Sequence, residues 1–572
     1  MAWEGEAGLA VSQETCRRRF HRDFLAEWEG EVVVELRAKP RLPLGSRGFL
    51  LNENKGFKPL VRRKAMSRAV MVQGTGSGVG KSVIVAAFCR IFARRGYRVS
   101  PFKAQNMALN SYVTRTGGEI GRSTAVQAMA AGVTPITAMN PILLKPKADT
   151  TSQLIVMGKP VGDFSAAQYF KGQPDILRRK MNVVRRGWKE ISSSFDIVVI
   201  EGAGSPAEIN LRRQDVVNMR TAKMANARVI LVADIDKGGA FASLAGTYSL
   251  LTPSERKQIG AFLLNKFRGD PALLGGAAEE ITKRTGVPFL GVIPYIHGLG
   301  IQEEDAVPAK VQGCANPVVK IGVIYLPHIS NFTDLDPLAW EPGVQLIYIS
   351  EPCEIGGVDA IILPGTKNTT GDLKHLQVSQ IAQAIIKVAQ KGLPVVGICG
   401  GYQMLGKTIE DEEGLESSER SVPGLDLLPV KTYFHKKKML RQATFSPAGT
   451  PPFLSDRKLK LEGYEIHHGR TRRLRGARPA FSAISDGGAP EGCVNTPGTI
   501  FGSYLHDLFE NDRFRRNFIN SLRKIKGLKP ISDPLVNASS KREGDFDLLA
   551  DTVLKNIDMK LLDQLVGLET AS

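Results

Sequence analysis

The sequence contains few cysteines and no long apolar run. Its six cysteines, spread over 572 residues, form no C-x-x-C pair and show no metal-ligand spacing. We therefore expect a reduced, cytoplasmic protein, and we treat the glycosylation sequons at Asn331, Asn368 and Asn537 as chance matches. No stretch approaches the about 18 consecutive apolar residues that a membrane-spanning helix needs. These absences argue against a disulfide-rich secreted protein and against a membrane protein.

Acidic residues are also in deficit. There are 57 of them against 76 basic residues, which gives a formal net charge of +19. Such an excess fits nucleic acid, an anionic membrane surface or acidic small molecules as partners. The basic residues are scattered, and the short clusters at 17–19, 62–64 and 436–438 lack the interleaved aromatic residues of a single-strand-binding surface. We therefore expect acidic small-molecule substrates, and neither nucleic acid nor a membrane as partner. The oligomeric state is left open.

The length exceeds what one hydrophobic core usually supports, so we expect more than one domain. Residues 1–65 lack the apolar core of a signal peptide, and their acidic residues argue against a transit peptide. Because Met66 opens a stretch that runs into a first strand, we interpret 1–65 as a poorly ordered leader or the result of a miscalled start. The further boundaries that we predict are a first domain at 66–299, a linker at 300–317, a second domain at 318–525 and a C-terminal tail at 526–572.

Short apolar stretches alternate with helical stretches in both domains. This alternation predicts an α/β protein with two doubly wound, mostly parallel sheets in tandem. The strands predicted in the first domain lie at 69–73, 98–102, 196–200, 228–233, 261–265 and 289–293. Those predicted in the second lie at 318–325, 345–349, 360–363 and 394–398, with strand-like stretches near 464 and 500.

A phosphate-binding loop follows the first predicted strand. Gly74-Thr-Gly-Ser-Gly-Val-Gly-Lys81-Ser82 lies between a strand and a helix, where backbone amides and the helix dipole can hold phosphates. Five residues rather than four separate Gly74 from Gly80, but the Gly-Lys-Ser triplet is intact. We expect Gly74, Thr75, Gly80, Lys81 and Ser82 to bind ATP, with Ser82 also binding Mg²⁺. The alternative is a glycine-rich turn without a ligand.

Polar side chains follow three further strands of the first domain. Glu201 comes directly after an apolar run and can bind Mg²⁺ beside the loop. Asp234 and Asp236 could do the same or orient an acceptor, and Asn265 could bind the edge of a nucleotide base. Each acid could instead cap a helix, and Asn265 could instead stabilise a turn.

Cys399 lies where a buried strand turns sharply into a helix. The segment Gly397-Ile-Cys-Gly-Gly-Tyr-Gln-Met-Leu-Gly406 places small residues on both sides of the cysteine, as a nucleophile elbow requires. The first turn of the helix offers N–H groups that can stabilise a thiolate or an oxyanion. We expect Gly400, together with Gly365 in the turn after another strand, to form an oxyanion hole. For Gly365 the alternative is an ordinary strand-to-helix loop.

A thiolate needs a base, and the sequence has eight histidines. His506 ends a predicted strand, which would bring it to the same carboxyl edge of the sheet as Cys399. His467 and His468 compete with it, but one of two adjacent residues on a strand must point away, so a loop or substrate-contact role suits them better. We expect Cys399 and His506 to be the catalytic pair.

From about residue 66 to residue 509 the chain resembles the cobyric acid synthases, the glutamine-dependent amidases of cobalamin assembly. The resemblance rests on the segment around Cys399, on Leu326-Pro-His-Ile-Ser-Asn-Phe-Thr-Asp-Leu-Asp336 and on Gly463-Tyr-Glu-Ile-His467. It implies a dethiobiotin-synthetase-like, ATP-dependent amidoligase domain at 66–299 and a class I glutamine amidotransferase domain at 318–525. The segments 101–107 and 119–122 also match this family, and we expect them around nucleotide or corrinoid.

One position departs from the wider amidotransferase pattern. Class I amidotransferases usually carry a glutamate two residues after the catalytic histidine, where this sequence has Leu508. The cobyric acid and cobyrinic acid a,c-diamide synthases lack this acid, so the departure favours the resemblance but leaves the group that orients His506 unassigned. Asp507 is a weak substitute, because adjacent strand residues face opposite ways.

The resemblance implies glutamine as nitrogen donor and ATP with Mg²⁺ as activating system. It implies amidation of the b, d, e and g carboxylates of adenosylcobyrinic a,c-diamide. Two alternatives stay open at this point. The first is the sister enzyme that amidates carboxylates a and c. The second is a partition-type ATPase switch with an inert amidotransferase domain, which requires Cys399 to be unreactive.

Overall fold

The computed structural model describes residues 67–568, except for 149, 166–168, 170–173, 302–309, 417–418, 449–453, 455 and 485–488. The leader predicted at 1–65 therefore lies outside the described residues.

Parallel strands form the centre of the first domain. In chain order its strands are β1 (Arg68–Gly74), β2 (Val99–Phe102), β3 (Gln105–Met107), β4 (Ser111–Val113), β5 (Glu119–Gly121), β6 (Ile142–Ala148), β7 (Thr151–Val156), β8 (Lys159–Ser165), β9 (Ile197–Glu201), β10 (Arg228–Asp234), β11 (Ile259–Phe267) and β12 (Phe289–Pro294). The main sheet has the order β12-β11-β10-β1-β9-β2, and all its neighbours pair in parallel. The chain thus winds outward on both sides of β1, and the loop after β1 opens at the centre of the sheet's carboxyl edge.

Helices cover this sheet, and two smaller β-units stand beside it. The helices are α1 (Lys81–Arg94), α2 (Arg122–Ala130), α3 (Pro174–Ser192), α4 (Met219–Met224), α5 (Ala240–Leu250), α6 (Pro253–Arg256) and α7 (Ala277–Thr285). Strands β3, β6, β7 and β8 form a separate sheet, and β4 pairs with β5 as a hairpin. These two units were not predicted from the sequence, because their strands are short or carry charged and polar residues.

The second domain contains another mostly parallel sheet. Its strands are β13 (Val311–Gly313), β14 (Val319–Ile324), β15 (Val344–Ile349), β16 (Ala360–Leu363), β17 (Val395–Ile398), β18 (Thr408–Glu410), β19 (Ser421–Pro423), β20 (Val430–Pro447), β21 (Leu461–Arg473), β22 (Phe481–Ala483), β23 (Cys493–Val494) and β24 (Ile500–Ser503). The order is β13-β15-β14-β16-β17-β24-β23, antiparallel only at its two edge pairs. Because β17 and β24 are parallel neighbours, the residues that follow them emerge at the same edge.

A long antiparallel ribbon and several helices complete the second domain. Strands β20 and β21 pair from Val430 with Arg473 to Phe445 with Leu461. The ribbon carries the segment that includes His467 towards the carboxyl edge of the main sheet. The helices after β14 are α8 (Asp336–Ala339), α9 (Thr369–Val378), α10 (Ile381–Gln390), α11 (Gly400–Met404), α12 (Asp512–Ile525), α13 (Ala538–Lys555) and α14 (Met559–Val566).

The C-terminal residues form helices where the sequence analysis predicted a tail. Phe546, Leu549 and Val553 of α13 are fully buried in the core of the first domain, against α1 and the main sheet. Arg90 of α1 forms an ion pair with Asp547 at 2.8 Å. The chain therefore returns from the second domain to the first. The C-terminal stretch is mostly polar, and the few apolar residues that pack into the core form only a narrow stripe along α13.

We predict that Phe546→Ala lowers the free energy of unfolding by about 3–5 kcal/mol, because it leaves a cavity beneath the first sheet. Leu548→Ala is the matched control on the same helix, since Leu548 is 48% exposed, and it should change stability by less than about 0.5 kcal/mol. Denaturant unfolding of the full chain measures both variants. Equal effects would mean that α13 does not belong to this core.

Candidate active site

Cys399 lies directly after β17, at the N-terminus of α11. Its backbone has φ 51° and ψ −107°, a strained conformation for a residue that carries a side chain. Glycine is required two residues further on, because a Cβ on Gly401 would lie 2.0 Å from the carbonyl oxygen of Leu363. This is the sharp strand-to-helix turn of a nucleophile elbow.

His506 follows β24 and pairs with a carboxylate. Its Nδ1 lies 2.6 Å from Oδ2 of Asp334, and the two side chains are only 1% and 3% exposed. Asp334 lies in the loop after β14, within the segment 326–336 that carried the family resemblance. The group that orients His506 could not be assigned from the sequence, and this geometry assigns that role to Asp334. The signal was present in that segment, but 172 positions separate the two residues.

The environment of His506 favours its protonated form. Burial acts to lower the pKa of His506, but the Asp334 carboxylate, and after it the nearby Cys399 sulfur, outweigh burial and raise the pKa to about 10. The Nε2 of His506 has no hydrogen-bond partner within bonding distance among the described residues, so this nitrogen is available to a reacting group. An imidazolium beside a cysteine is the partner that a nucleophilic thiolate needs.

The two rival histidines are held as neutral rings. Burial lowers the pKa of both His467 and His468 to about 3. The ring of His467 stacks on Tyr504, with centroids 3.7 Å apart, and its Nδ1 lies 2.6 Å from the carbonyl oxygen of Gly469. His467 Nε2 lies 4.0 Å from Oε1 of Glu465, a much longer contact than the 2.6 Å between His506 and Asp334. His467 and His468 line the cavity that holds Cys399, which suits a contact role.

The glycines predicted to form an oxyanion hole lie around Cys399. A Cβ on Gly365 would stand 3.5 Å from Cε1 of His506 and 3.0 Å from the carbonyl oxygen of Ser330. A Cβ on Gly400 would stand 3.1 Å from the backbone nitrogen of Thr366. The turn after β16 and the start of α11 thus approach each other closely, and an oxyanion hole at this place remains our proposal.

The phosphate-binding loop, residues 74–82, joins β1 to α1. Gly80 caps the helix in the left-handed region, with φ 94°. Lys81 folds back over the loop, and its Nζ donates to a carbonyl of the same loop at 2.8 Å. A Cβ on Gly74 would come within 3.0 Å of that Nζ, and the backbone N–H of Thr75 donates to β10 at 2.9 Å. The loop is therefore shaped as a phosphate cradle with its cation in place.

Glu201 lies beside this loop and is already held by three donors. Ser82 Oγ donates to its Oε1 at 2.8 Å, Lys103 Nζ donates to the same oxygen at 3.0 Å, and Gln127 Nε2 donates to Oε2 at 2.5 Å. Burial acts to raise the pKa of Glu201, but Lys103 and these hydrogen bonds outweigh it and lower the pKa. A hydroxyl and a carboxylate in contact beside a phosphate cradle fit a Mg²⁺ site.

The donors around that site are few. Across the described ranges of the chain, no group of three or more His, Cys, Asp or Glu side chains could hold a metal ion. A Mg²⁺ at Ser82 and Glu201 would therefore take most of its oxygen ligands from nucleotide phosphates and water. Lys103, which belongs to the segment 101–107 that we expected around nucleotide or corrinoid, would keep Glu201 ionised when the metal is absent.

Asp234 lies on the other flank of the loop, because β10 and β9 are on opposite sides of β1. Its Oδ2 is 3.3 Å from Nζ of Lys266, which also donates to the carbonyl oxygen of Gly78 at 2.5 Å. Asn265 donates to the carbonyl oxygen of Val79 at 3.0 Å. The structure thus gives Asp234 and Asn265 a part in shaping the loop, and it does not bring Asp234 together with Ser82 and Glu201 as predicted.

A large cavity connects the nucleotide loop with the second domain. It has a volume of about 640 Å³ and is lined by Lys81, Ser82 and Glu201 from the first domain and by Ile329 and Phe332 from the second. This volume is within the range of small-molecule and cofactor sites. Asp234 and Asn265 are not part of its lining.

The segment 119–122, which we expected around nucleotide or corrinoid, lies beside the amidotransferase site and does not line the cavity at the phosphate loop. Arg122 Nη2 is 3.2 Å from Oδ1 of Asp507, the residue next to His506. Glu119 is fully buried and contacts Lys438 of the ribbon at 2.5 Å. The reason is the hairpin β4–β5, which turns this segment away from the main sheet. Asp507 is engaged with Arg122, so it is not the orienting residue of His506.

Backbone contacts also join the first domain to the environment of His506. The backbone N–H of Asn331 donates to Oδ1 of Asn110 at 2.7 Å, and that of Ser111 donates to Oδ1 of Asn331 at 2.9 Å. Asn331 Nδ2 donates to the hydroxyl of Tyr464 at 3.2 Å, and the Tyr464 ring stacks on His506 with centroids 5.0 Å apart. The nucleotide domain therefore contacts the residues that surround His506, the proposed catalytic base.

Two family models match the chain in succession. Residues 70–308 match the CobQ/CobB/MinD/ParA nucleotide binding domain, and residues 320–514 match the CobB/CobQ-like glutamine amidotransferase domain. These matches confirm the predicted fold class of two α/β, mostly parallel-sheet domains in tandem.

Curated relatives align along nearly their whole length. The "Cobyric acid synthase" of Desulforamulus reducens is 46% identical over 513 residues, which cover 88% of this chain and 99% of the relative. That of Moorella thermoacetica is 47% identical over 88% of this chain and 98% of its own. That of a Thermoanaerobacter species is 48% identical over 86% of this chain and 98% of its own.

The chain belongs to the cobyric acid synthase family. The resemblance predicted from the motifs is thereby confirmed, and with it the class of glutamine-hydrolysing ligase. Every helix in the described part of the chain is too short or too polar to span a bilayer.

We predict that Asp334→Asn lowers the glutaminase kcat by about 10²- to 10⁴-fold, because His506 loses the carboxylate that orients the ring and stabilises its protonated form. With burial then dominant, the pKa of His506 should fall below its ordinary value. NMR titration of the ring and the pH profile of glutaminase activity measure this shift. Asp507→Asn is the control, and it should leave the His506 pKa raised.

Stability provides an independent check of the same pair. Because the folded pKa of His506, about 10, exceeds its ordinary 6.5, its pairing stabilises the fold fully below pH 6.5, and this contribution disappears as the pH rises through 10. The difference in unfolding free energy between the wild type and Asp334→Asn should follow that course. A difference that is constant across this range would contradict the assigned pairing.

Proposed function

We propose that the chain is an ATP- and glutamine-dependent ligase that amidates the b, d, e and g carboxylates of adenosylcobyrinic a,c-diamide to give adenosylcobyric acid. The observation that carries this proposal is the combination of a Cys399, His506 and Asp334 constellation with a phosphate cradle that opens into a shared cavity. The relatives named cobyric acid synthase support the choice of reaction.

The proposed reaction begins at Cys399. The thiolate attacks the side-chain amide carbon of glutamine and forms a thioester, while His506 gives its Nε2 proton to the departing nitrogen. Ammonia leaves, water then hydrolyses the thioester to glutamate, and His506 accepts the proton of that water. Asp334 holds Nδ1 throughout, so that only Nε2 exchanges protons. The N–H groups around Gly365 and Gly400 would stabilise the oxyanion.

The proposed ligation takes place at the phosphate loop. Lys81 and the loop amides would hold the terminal phosphates of ATP in line with a corrinoid carboxylate, and the acyl phosphate that forms is displaced by ammonia to give the amide and inorganic phosphate. A Mg²⁺ at Ser82 and Glu201 would supply charge neutralisation for the phosphates. The ammonia must arrive neutral, because ammonium has no lone pair for attack.

The two alternatives are less well supported. The sister reaction at carboxylates a and c would use the same constellation, but the relatives carry the name of cobyric acid synthase. A non-enzymatic switch requires an inert amidotransferase domain, and the pairing of His506 with Asp334 beside Cys399 argues against one.

The test is mass spectrometry of the corrinoid product. We predict that the full chain, given glutamine, ATP, Mg²⁺ and adenosylcobyrinic a,c-diamide, forms a product whose mass corresponds to amidation at every remaining candidate carboxylate. Cys399→Ser should lose the glutamine-dependent reaction by several orders of magnitude. The same variant should still amidate the corrinoid when ammonium salt replaces glutamine, because the phosphate loop is intact.

Two results would contradict the proposal. Amidation of cobyrinic acid at carboxylates a and c, with none on the a,c-diamide, would assign the chain to the sister reaction. No amide from any corrinoid with either nitrogen source, in a preparation that binds ATP, would favour the switch.

A further inference from the structure

The cavity that contains Cys399 has charged walls from both domains. Besides Cys399 and His506 it is lined by Lys145, Lys367, Lys438 and Glu416. Lys145 lies in β6 of the nucleotide domain, whereas the other charged residues belong to the amidotransferase domain. Buried lysines are costly unless they meet an anion, so three of them beside a nucleophile need an explanation.

One carboxylate accounts for two of these ammonium groups. Glu119 is fully buried between the domains; its Oε1 lies 3.0 Å from Lys145 Nζ, and its Oε2 lies 2.5 Å from Lys438 Nζ. Ser111 Oγ donates to Oε1 at 2.9 Å. Both oxygens of Glu119 are thus occupied. This arrangement fixes both side chains at the wall of the cavity. Burial lowers the pKa of Lys438 to about 7, and the Glu119 carboxylate opposes that effect.

Lys367 adds a further positive charge. The residue is 7% exposed, and its side chain forms no hydrogen bond or close ion pair with another residue in the described part of the chain. Burial lowers the pKa of Lys367, with the charges of Lys145 and Lys147 acting in the same direction and that of Glu416 opposing them. A buried ammonium group without a bonded partner is expected where a ligand supplies the anion.

Glu416 is the carboxylate that lines this cavity, and it can accept hydrogen bonds beyond the one that it receives from the protein backbone. Its Oε2 accepts the backbone N–H of Thr369 at 2.9 Å. Burial raises its pKa, and Lys367 opposes this effect. The cavity therefore offers a cluster of ammonium groups and one separate carboxylate, which is complementary to a molecule that carries a carboxylate and an ammonium group on one carbon.

We propose that the α-carboxylate of glutamine binds to Lys367 together with Lys145 and Lys438, and that its α-ammonium group binds to Glu416, while the side-chain amide lies at Cys399. The inference rests on the proposed function, because it concerns the nitrogen donor of that reaction. It has one consequence for the architecture. The glutamine site is completed by Lys145 of the nucleotide domain, so glutamine binding depends on the contact between the two domains.

Two truncated amides test the assignment. 4-Aminobutanamide is glutamine without its α-carboxylate, and 5-amino-5-oxopentanoate is glutamine without its α-amino group. The experiment measures kcat/KM for ammonia release from each and from glutamine, in the wild type and in Lys367→Met and Glu416→Gln. The ratio of two amides within one protein preparation does not depend on how much of the variant is correctly folded.

We expect Lys367→Met to raise the KM for glutamine by about ten- to hundredfold and to reduce the preference for glutamine over 4-aminobutanamide by a similar factor. Its preference for glutamine over 5-amino-5-oxopentanoate should be unchanged. Glu416→Gln should show the reverse pattern. Lys145→Met should behave like Lys367→Met, although it also breaks the ion pair with Glu119.

Lys374→Met is the matched control, because Lys374 lies on the surface and pairs with Glu419 at 3.0 Å. It should keep all three kcat/KM values. If Lys367→Met keeps the wild-type preference for glutamine over 4-aminobutanamide, the inference is wrong. Failure of the proposed function is a separate result, since it would be seen as the absence of corrinoid amidation by the wild type with ammonium salt.

Discussion

The hydrogen bond between His506 Nδ1 and Asp334 is the interaction on which the site depends. It fixes the ring so that Nε2 is the nitrogen left available, and it keeps a fully buried imidazole protonated against the cost of its burial. The bond requires β24 next to β17 and the loop after β14 folded over their carboxyl ends. The sheet order is therefore a condition of the chemistry.

That same loop separates the two reaction sites. Ile329 and Phe332 line the large cavity beside the phosphate loop, whereas Ser330 and Asn331 line the cavity that holds Cys399. Asn331 adopts a left-handed backbone conformation, with φ 52°, and contacts the nucleotide domain through its backbone and side chain. In the proposed reaction, only this loop would therefore lie between the ammonia released at Cys399 and the cavity in which the acyl phosphate forms.

The features that depend on local pattern could be predicted from the sequence. The central strands are continuous apolar runs. The phosphate loop and the cysteine elbow are marked by glycines, which are required there because a side chain would clash with nearby atoms. Contacts between residues far apart in the chain could not be predicted in this way. Asp334, Lys103 and Lys145 each act on a partner from a distant segment, and their neighbours in sequence do not identify that partner.

Two further predictions, on Asp234 and on the C-terminal stretch, were wrong because they depend on how the elements pack in the fold. Asp234 follows a strand as Glu201 does, but β9 and β10 lie on opposite sides of β1, so only Glu201 reaches Ser82. The polar C-terminal stretch predicted as a tail contains a helix whose few apolar residues complete the first core. In both cases the local sequence was compatible with either outcome, and tertiary packing decided.

The most direct measurement is the mass of Cys399 during turnover. Full-length protein is mixed with glutamine, quenched in acid within one turnover and digested, and the peptide that contains Cys399 is weighed. The account predicts a γ-glutamyl thioester on Cys399 that is absent in Asp334→Asn over the same interval. Glutamine hydrolysis without such an adduct, or an adduct on Cys493 instead, would contradict it.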